Sequence, residues 1–252
     1  MIDLSNQVAL VTGGSRGIGA AIAAIFAKAG ASVAIMYRND KRSAIKSIEN
    51  VRNEGVDGLA IAGKIENYTE CRSVIRKVMS KFGRIDILVN NAGIWEYGEI
   101  GKMTPIQWRK TIDINLTGTF NMCNLVVPAM KKQKYGRIIN IASTAGQRGE
   151  AFHSHYAASK GGVIAFTKSL GPELIRYGIW VNCVAPGWVK TDMVLPEYNT
   201  PKLRKEILRT IPRGKIAQPD EIAGPVIFLA SSLSNNVVGE ILNVNGGSVL
   251  CG

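Results

Sequence analysis

Short apolar runs alternate along the whole chain with longer amphipathic stretches, and this alternation constrains the fold more than any other feature. Hydrophobicity within these runs is continuous rather than alternating, which is typical of strands buried on both faces. Amphipathic stretches of helical length between such strands indicate right-handed crossovers, so the sequence predicts an α/β fold with a doubly wound parallel sheet and helices on both faces. The seven predicted strands lie at 7–13, 31–37, 58–63, 85–93, 136–143, 178–187 and 239–247.

The composition is that of one globular domain spanning residues 1–252. At 46% hydrophobic residues the chain can bury a sizeable core, and no Pro- or Ser-rich linker interrupts the alternation. No apolar run approaches the roughly 20 residues of a membrane span, and the N-terminus lacks the pattern of a signal peptide. We therefore expect a cytoplasmic protein that does not enter the membrane.

The formal net charge of +12 is the outlying property of the composition. A basic protein attracts anions, which here means nucleic acid, a phosphorylated cofactor or an acidic protein partner. The basic residues are scattered through helical stretches without interleaved aromatic residues, so nucleic acid is not the expected partner. The four cysteines are isolated from one another, so we expect neither a metal site nor disulfides.

The first predicted strand leads through a glycine-rich turn into an Ala- and Ile-rich helix, over residues 8–30. Gly13, Gly17 and Gly19 follow a G-x₃-G-x-G spacing, which differs from the common G-x-G-x-x-G fingerprint. The missing Cβ atoms allow a tight turn and let a pyrophosphate approach backbone N–H groups at the positive end of the helix. This order of elements predicts a dinucleotide site of the Rossmann type. The alternative is that the glycines only pack the helix against the strand.

The second predicted strand ends in the sequence MYRND, at the place where such sites distinguish NAD from NADP. An acidic residue there accepts hydrogen bonds from the adenosine ribose, whereas an arginine pairs with a 2′-phosphate. Tyr37 and Arg38 occupy this place, and Arg16 lies within the glycine turn. We therefore favour NADP(H) over NAD(H). Arg38 alone is also compatible with a solvated strand end, and Asp40 is a weaker candidate for ribose recognition.

A serine, a tyrosine and a lysine follow the fifth predicted strand. Ser143 closes that strand, Tyr156 comes thirteen residues later and Lys160 four residues after it. Positions i and i+4 share a face of a helix, so the phenol and the ammonium can point into one cleft. Open α/β sheets bind ligands at the carboxyl edge of their strands, and these side chains are expected on that side.

Taken in order along the chain, these motifs resemble those of the short-chain dehydrogenase/reductase family. The resemblance covers essentially the whole chain. The Y-x₃-K pair alone is common among proteins, but the ordered set is specific. It consists of TGGSRGIG (12–19), NNAG (90–93), Asn115 in DINLTG, Ser143, Tyr156, Lys160, VNCVAPGWVKTDM (181–193) and GEILNVNGG (239–247).

The resemblance implies a nicotinamide-dependent oxidoreductase with four catalytic residues. Tyr156 would be the general acid that gives a proton to a carbonyl oxygen as hydride arrives at the carbon. Lys160 would favour the phenolate in the oxidised complex and hold the nicotinamide ribose. Ser143 would hydrogen-bond the substrate oxygen, and Asn115 would hold a water that connects Lys160 to solvent. Singly, each has a structural alternative: a strand cap for Ser143, a helix bend for Asn115 and solvated surface for Lys160.

The same resemblance implies the cofactor contacts and no metal. The expected contacts are Gly13, Ser15, Arg16, Gly17, Ile18, Gly19, Tyr37, Arg38, Ile65, Asn91, Ala92, Gly93, Tyr156, Lys160, Pro186, Gly187, Val189 and Thr191. Lys64 departs from the family pattern, because it stands where an acceptor for the adenine amino group is common and an ammonium can only donate. Gly171 and Pro172 are a second departure, since proline commonly kinks a helix such as the one that carries Tyr156.

Within the family, the chain resembles the 3-oxoacyl-[acyl-carrier-protein] reductases, which implies a 3-oxoacyl thioester substrate. An acidic acyl carrier protein suits a basic surface, with candidate contacts at Lys131, Lys132, Lys134 and Arg137, unless these form only a solvated helix end. Similar motifs occur in alcohol and sugar dehydrogenases and in acetoacetyl-CoA reductases. A catalytically silent NADP(H) sensor or scaffold is the alternative from another class, and the intact catalytic set argues against it.

Substrate-facing side chains are expected in 93–100, in 144–155 and after Gly187. The candidates, which suit a polar or sugar-like substrate as readily as an acyl chain, are Trp95, Tyr97, Gln147, Arg148, His153, His155 and Trp188. His155 is not assigned chemistry, because neighbours in a helix point in different directions. The family resemblance also implies a homotetramer, with interfaces on the helices around 105–131 and 156–177 and in the C-terminal region.

Overall fold

The computed structural model describes residues 2–251 and contains one seven-stranded sheet. Its strands are β1 Val8–Thr12, β2 Ser32–Tyr37, β3 Gly58–Ala62, β4 Ile87–Asn90, β5 Gly136–Ile141, β6 Ile179–Pro186 and β7 Ile241–Val244. Their order is β3-β2-β1-β4-β5-β6-β7, and every neighbouring pair is parallel. Each strand lies within one of the seven apolar runs, so the predicted doubly wound fold is confirmed.

Helices cover both faces of the sheet. They are α1 Gly17–Lys28, α2 Lys41–Asn53, α3 Tyr68–Phe82, α4 Pro105–Ile112, α5 Gly118–Gln133, α6 Thr144–Arg148, α7 Ser154–Leu174, α8 Leu195–Tyr198, α9 Pro201–Arg209 and α10 Pro219–Ala230. None of those within residues 2–251 is long and apolar enough to cross a membrane.

Alternate residues along a strand pack against two different layers of helices. Ala9 and Val11 of β1 belong to the core formed with α1, α2 and α10, whereas Val8 and Leu10 belong to the core formed with α3, α5 and α7. Successive side chains of a strand point to opposite faces, so both sets must be apolar. This double burial is the reason that the apolar runs in the sequence are continuous.

The strand order reverses at β1, which pairs with β2 on one side and with β4 on the other. Crossovers leaving the two neighbouring strands therefore pass to opposite faces, and a crevice opens at their carboxyl ends. The glycine turn follows β1 and residues 91–93 follow β4. Both predicted motifs consequently meet at this crevice.

The helical stretch expected over 112–120 contains a π-helical turn, Asp113–Thr117, between α4 and α5. Asn115 in this turn is fully buried. Its Oδ1 accepts from the Ile94 N–H at 2.8 Å, and its Nδ2 donates to the Ile94 carbonyl at 3.0 Å. Such single wide turns inside helices occur frequently at functional sites, and here one fixes the chain that follows β4.

Helix α7 runs through Gly171 and Pro172 and ends only at Leu174. A Cβ on Gly171 would lie 2.8 Å from the backbone of Gly239, so glycine allows a close approach between α7 and the segment before β7. Pro172 stands in the last turn of the helix, where little helix remains to be disturbed. The expected kink therefore does not interrupt the part of α7 that carries Tyr156.

Arg137 is buried, and the prediction that it contacts an acyl carrier protein is wrong. It lies on β5 and is 2% exposed, and its guanidinium donates to Ser234 Oγ at 3.1 Å and to Asn235 Oδ1. The guanidinium carbon also lies 4.2 Å from the centroid of the Trp180 ring. The prediction grouped Arg137 with the lysines because they are close in the sequence. The chain leaves α5 and enters β5 before Arg137, so its side chain is not on the helix. The other members of the cluster lie at or near the end of α5: Lys131, Lys132 and Lys134.

Candidate active site

A cleft of about 660 Å³ lies at the carboxyl edge of the sheet. Its wall includes the turn after β1, the ends of β2 and β4, the start of α7 and the loop after β6. Every residue predicted to contact the cofactor lines this cleft except Gly19. The volume falls in the ordinary range of ligand sites, roughly 300–1,000 Å³.

The glycine turn has a backbone that side chains would disturb. Gly13 and Gly17 have φ angles of +64° and +54°, in the left-handed region that favours glycine. A Cβ on Gly19 would lie 2.2 Å from the Gly13 carbonyl oxygen and 2.6 Å from Asn91 Nδ2. Asn91 Nδ2 itself donates to the carbonyl oxygens of Thr12, at 3.0 Å, and Gly13, at 3.2 Å. Gly19 is therefore buried behind the turn and lets it close onto β4.

The start of α1 fits a pyrophosphate. Arg16 precedes the helix, and no side chain caps the first N–H groups. Ser15, Gly17 and Ile18 line the cleft at this point, so backbone of the glycine turn faces it. Uncapped N–H groups, the positive end of the helix dipole and an adjacent guanidinium suit a diphosphate. The residues present therefore fit a dinucleotide cofactor.

Arg16 and Arg38 both line the cleft, and each is paired with a carboxylate. Arg38 Nη2 lies 2.9 Å from Glu66 Oε1, and Arg16 Nη1 lies 3.5 Å from Asp192 Oδ2. These pairs are partly exposed, and such pairs contribute at most about 1 kcal/mol. A phosphate group, with a charge of roughly −1.5 to −2, can therefore compete with either carboxylate for its arginine.

The segment after β3 contains Lys64, which departs from the family pattern. Lys64 is exposed and does not line the cleft, and its backbone N–H donates to Glu70 Oε2 at 2.8 Å. Ile65 does line it, and its carbonyl accepts from Asn121 Nδ2 at 3.0 Å. Glu66 also lines the cleft and was not among the predicted site residues. No local pattern marks this residue. Its place in the cleft, two residues after Lys64, depends on the path of the chain after β3.

Three of the four predicted catalytic residues, Ser143, Tyr156 and Lys160, line the same cleft. Lys160 is 4% exposed, and its Nζ donates to the Ile141 carbonyl at 2.7 Å. Burial lowers the pKa of Lys160 to about 8. Burial also raises the pKa of Tyr156 to about 12, against the effect of the Ser143 side chain. A half-buried phenol and a buried ammonium thus stand beside a hydroxyl in one cleft.

Ser143 has a structural contact as well as a place in the cleft wall. Its Oγ accepts from the Ala145 N–H at 3.1 Å and so caps α6. The bond fixes the side chain at the end of β5. The expected strand cap and the expected substrate contact are therefore compatible, because a hydroxyl that accepts one bond can still donate its proton.

Asn115 lies behind the cleft wall and does not line it. Its Nδ2 donates to Ser159 Oγ at 3.0 Å, and that hydroxyl donates to the Tyr156 carbonyl at 2.7 Å. A Cβ on Gly93 would lie 3.2 Å from Asn115 Oδ1 and 3.5 Å from Lys160 Nζ. Asn115 thus adjoins both residues of the Y-x₃-K pair, and its expected role of holding a water stays a prediction.

The substrate-facing candidates divide into two groups. Those that line the cleft are Trp95, Arg148 and Trp188. Those that do not line it are Tyr97, Gln147, His153 and His155. His155 is 1% exposed and packs against Gly98, away from the cleft lining.

Glu150 also lines the cleft, and the sequence analysis did not single it out. Burial raises the pKa of its carboxyl group. No sequence signal marks this residue, since a glutamate in a loop between α6 and α7 is usually solvated. Within residues 2–251, no group of three or more histidine, cysteine or acidic side chains could hold a metal ion.

Comparison with known proteins agrees with this arrangement. A family model described as enoyl-(acyl carrier protein) reductase matches residues 13–248. A 3-oxoacyl-[acyl-carrier-protein] reductase from Synechocystis sp. is 41% identical over 252 residues, covering 99% of this chain and 100% of the relative. An acetoacetyl-CoA reductase from Shinella zoogloeoides is 42% identical over 246 residues, covering 96% of this chain and 98% of the relative.

A solved structure agrees equally well. The crystal structure of gox2181 has a TM-score of 0.94 and 37% identity, covering 98% of this chain and 96% of that one. The family match, the relatives and the fold therefore all extend over nearly the full length of the chain. The chain belongs to the short-chain dehydrogenase/reductase family and is an oxidoreductase that acts on ketone or CH–OH groups.

Proposed function

We propose that the protein is an NADPH-dependent ketone reductase, that its substrate is a 3-oxoacyl thioester, and that Tyr156 is the general acid. The observation that carries the proposal is the presence of Tyr156 and Lys160 in the same cleft as the glycine turn and Arg38. Similarity to relatives named as 3-oxoacyl-[acyl-carrier-protein] and acetoacetyl-CoA reductases supports the thioester.

The residues of the glycine turn, the end of β2 and the loop after β6 would hold the cofactor, as predicted from the sequence. A bound reduced nicotinamide supplies the hydride. Because burial raises the pKa of Tyr156 to about 12, its phenol stays protonated at neutral pH and can donate to a carbonyl oxygen. Ser143 offers a second hydrogen bond to that oxygen, which stabilises the negative charge that develops on it.

Lys160 would stabilise the Tyr156 phenolate and help it to regain its proton after each turnover. Its ammonium Nζ lies 5.9 Å from the centroid of the Tyr156 ring and is fixed by its bond to Ile141. A positive charge so close stabilises the phenolate left after proton donation. The proposed path for reprotonation leads from Lys160 to a water that Asn115 would hold.

Turnover with a set of thioesters tests the proposed function. We expect acetoacetyl thioester to consume NADPH, followed by its absorbance, at a kcat/KM at least about tenfold above those of small diketones and sugars. Crotonyl thioester, which offers a C=C bond in place of the ketone, is the matched control and should not react. Reduction of the crotonyl compound alone, or tight NADPH binding without turnover of any ketone, would contradict the proposal.

Replacing Arg38 by aspartate tests the cofactor preference. We expect the dissociation constant for NADPH to rise about 10- to 100-fold, because a charge-assisted bond to the 2′-phosphate is replaced by repulsion. The dissociation constant for NADH should change little, since NADH has a hydroxyl at that position. Fluorescence titration of both cofactors measures the effect. Equal weakening of the two would refute a phosphate contact by Arg38.

The partner and the assembly are also proposals. The exposed lysines at the end of α5 suit an acidic acyl carrier protein. A homotetramer is supported by exposed apolar side chains on and near the helices expected at its interfaces: Ile106, Trp108, Phe120, Leu233 and Leu250. The cytoplasmic location stays a prediction of the sequence.

A further inference from the structure

An aromatic and acidic wall, formed by Trp95, Glu150, His153 and Trp188, borders the cleft on the side of Tyr156. Trp95, Glu150 and Trp188 line the cleft, whereas His153 does not line it and packs against Trp95. The Trp95 and His153 rings stack at 4.5 Å between centroids, and the Trp188 ring meets Trp95 edge-on at 5.8 Å. Rigid, mutually packed rings thus hold the wall in place.

Glu150 is the only acidic residue of the wall. Its Oε2 accepts from Trp95 Nε1 at 3.3 Å, and its Oε1 lies 3.8 Å from His153 Nδ1. His153 Nδ1 is also 3.1 Å from the Ala151 carbonyl, a contact in which this nitrogen must donate. The Glu150 side chain is 20% exposed, and among residues 2–251 no lysine or arginine nitrogen lies within 4 Å of it. The closest group that can carry a positive charge is thus the His153 imidazole.

The charge of Glu150 reaches the reacting end of the cleft. Glu150 and Tyr156 line the same cleft, and Glu150 adds to the burial that raises the pKa of Tyr156. The pKa of Glu197 is likewise raised, mainly by burial and with a contribution from Glu150. His153 and the exposed Arg148 act on Glu150 in the opposite direction. Glu150 thus places a carboxylate in a cleft that Arg148 and Lys160 also line.

We propose that Glu150 is a specificity-determining residue, which admits ketones with a neutral group beside the reacting carbonyl and rejects ketones with a carboxylate there. This inference rests on the proposed reduction of 3-oxo compounds. A thioester is neutral at that position, whereas the free 3-oxo acid formed by its hydrolysis is an anion. Repulsion by the partly buried Glu150 carboxylate would then discriminate against the free acid and in favour of the thioester, although the two compounds have similar shapes around the reacting carbonyl.

The proposed preference for a neutral substrate runs against the electrostatic field of the whole protein. The net charge of +12 attracts anions and by itself favours the free acid over a neutral ester. A preference for the neutral compound therefore requires a local negative charge. This opposition separates the role of Glu150 from general steering by surface charge.

The matched substrates are methyl acetoacetate and acetoacetate, reduced with NADPH. We expect wild-type kcat/KM to favour the ester by about tenfold or more, and Glu150→Gln to lower that ratio at least about fivefold. Glu150→Asp keeps the charge and should keep most of the ratio. Glu99→Gln is the control for net charge, because Glu99 pairs with Lys102 at 2.9 Å and does not line the cleft.

Equal use of the two compounds by the wild type, or an unchanged ratio in Glu150→Gln, would overturn the inference while leaving the reductase activity in place. If neither compound is turned over, the charge selection is read from calorimetric titration of the NADP⁺-loaded protein with both compounds, and the proposed function is judged separately by the turnover of acetoacetyl thioester. Tighter binding of the ester by the wild type but not by Glu150→Gln would support it. Equal binding, or no binding of either, would overturn it.

Discussion

Replacing Tyr156 by phenylalanine is expected to lower kcat/KM for ketone reduction by about 10³-fold. Phenylalanine fills nearly the same volume, so the cleft should keep its shape and only the donated proton is lost. The dissociation constant for NADPH should change far less than the turnover, because the glycine turn and the arginines are unaltered. Stopped-flow absorbance for turnover and fluorescence titration for binding measure the two quantities separately.

Tyr135→Phe is the matched control, because its hydroxyl meets Gln7 Oε1 at 3.4 Å and the residue does not line the cleft. It should retain wild-type turnover. Full activity of Tyr156→Phe would disprove the role of the phenol as general acid. Equal losses of NADPH binding and turnover would instead assign Tyr156 to cofactor binding alone.

Replacing Gly19 by alanine is expected to weaken NADPH binding by about 100-fold or more and to lower the free energy of unfolding by about 3 kcal/mol. The new Cβ would lie 2.2 Å from the Gly13 carbonyl oxygen, which is backbone and cannot rotate away. The glycine turn must shift to relieve this contact, and the N–H groups expected to hold the pyrophosphate shift with it. Fluorescence titration of NADPH and thermal unfolding measure the two effects.

Gly224→Ala is the matched control, since Gly224 also lies in a helix, α10, and its Cβ would meet nothing within 4 Å. Alanine is the better helix former by about 1 kcal/mol, but Pro225 follows this position and disfavours a helical alanine before it, so stability should stay near that of the wild type, with unchanged NADPH binding. Normal binding and stability of Gly19→Ala would show that the turn can relax around a methyl group. The buried position of Gly19 would then carry no constraint.

Much of the fold was predictable because it depends on patterns that are local in the sequence. The continuous apolar runs reflect strands that pack against helices on both faces, as Ala9 and Leu10 do on opposite sides of β1. The glycine turn could be located because it lies between a strand and a helix that are adjacent in the chain. The predicted residues of the cleft wall could be placed together because all parallel strands of such a sheet end at one edge.

Other features depend on contacts between distant parts of the chain. Arg137 was taken for a surface residue because its partners, Ser234 and Asn235, come almost a hundred residues later. Glu66 and Glu150 gave no signal, since a carboxylate in a loop acquires a role only from what packs beside it. For Glu66 that partner is Arg38, and for Glu150 it is Trp95.

The sequence by itself determined the succession of strands and helices along the chain, the glycine turn and the set of reactive side chains, because these follow from residue type and spacing. Only the tertiary structure decided which charges face the cleft and how far each side chain is buried. Burial then set the pKa of Lys160 to about 8 and that of Tyr156 to about 12. Desolvation depends on everything that surrounds a group, and no local pattern of residues contains that information.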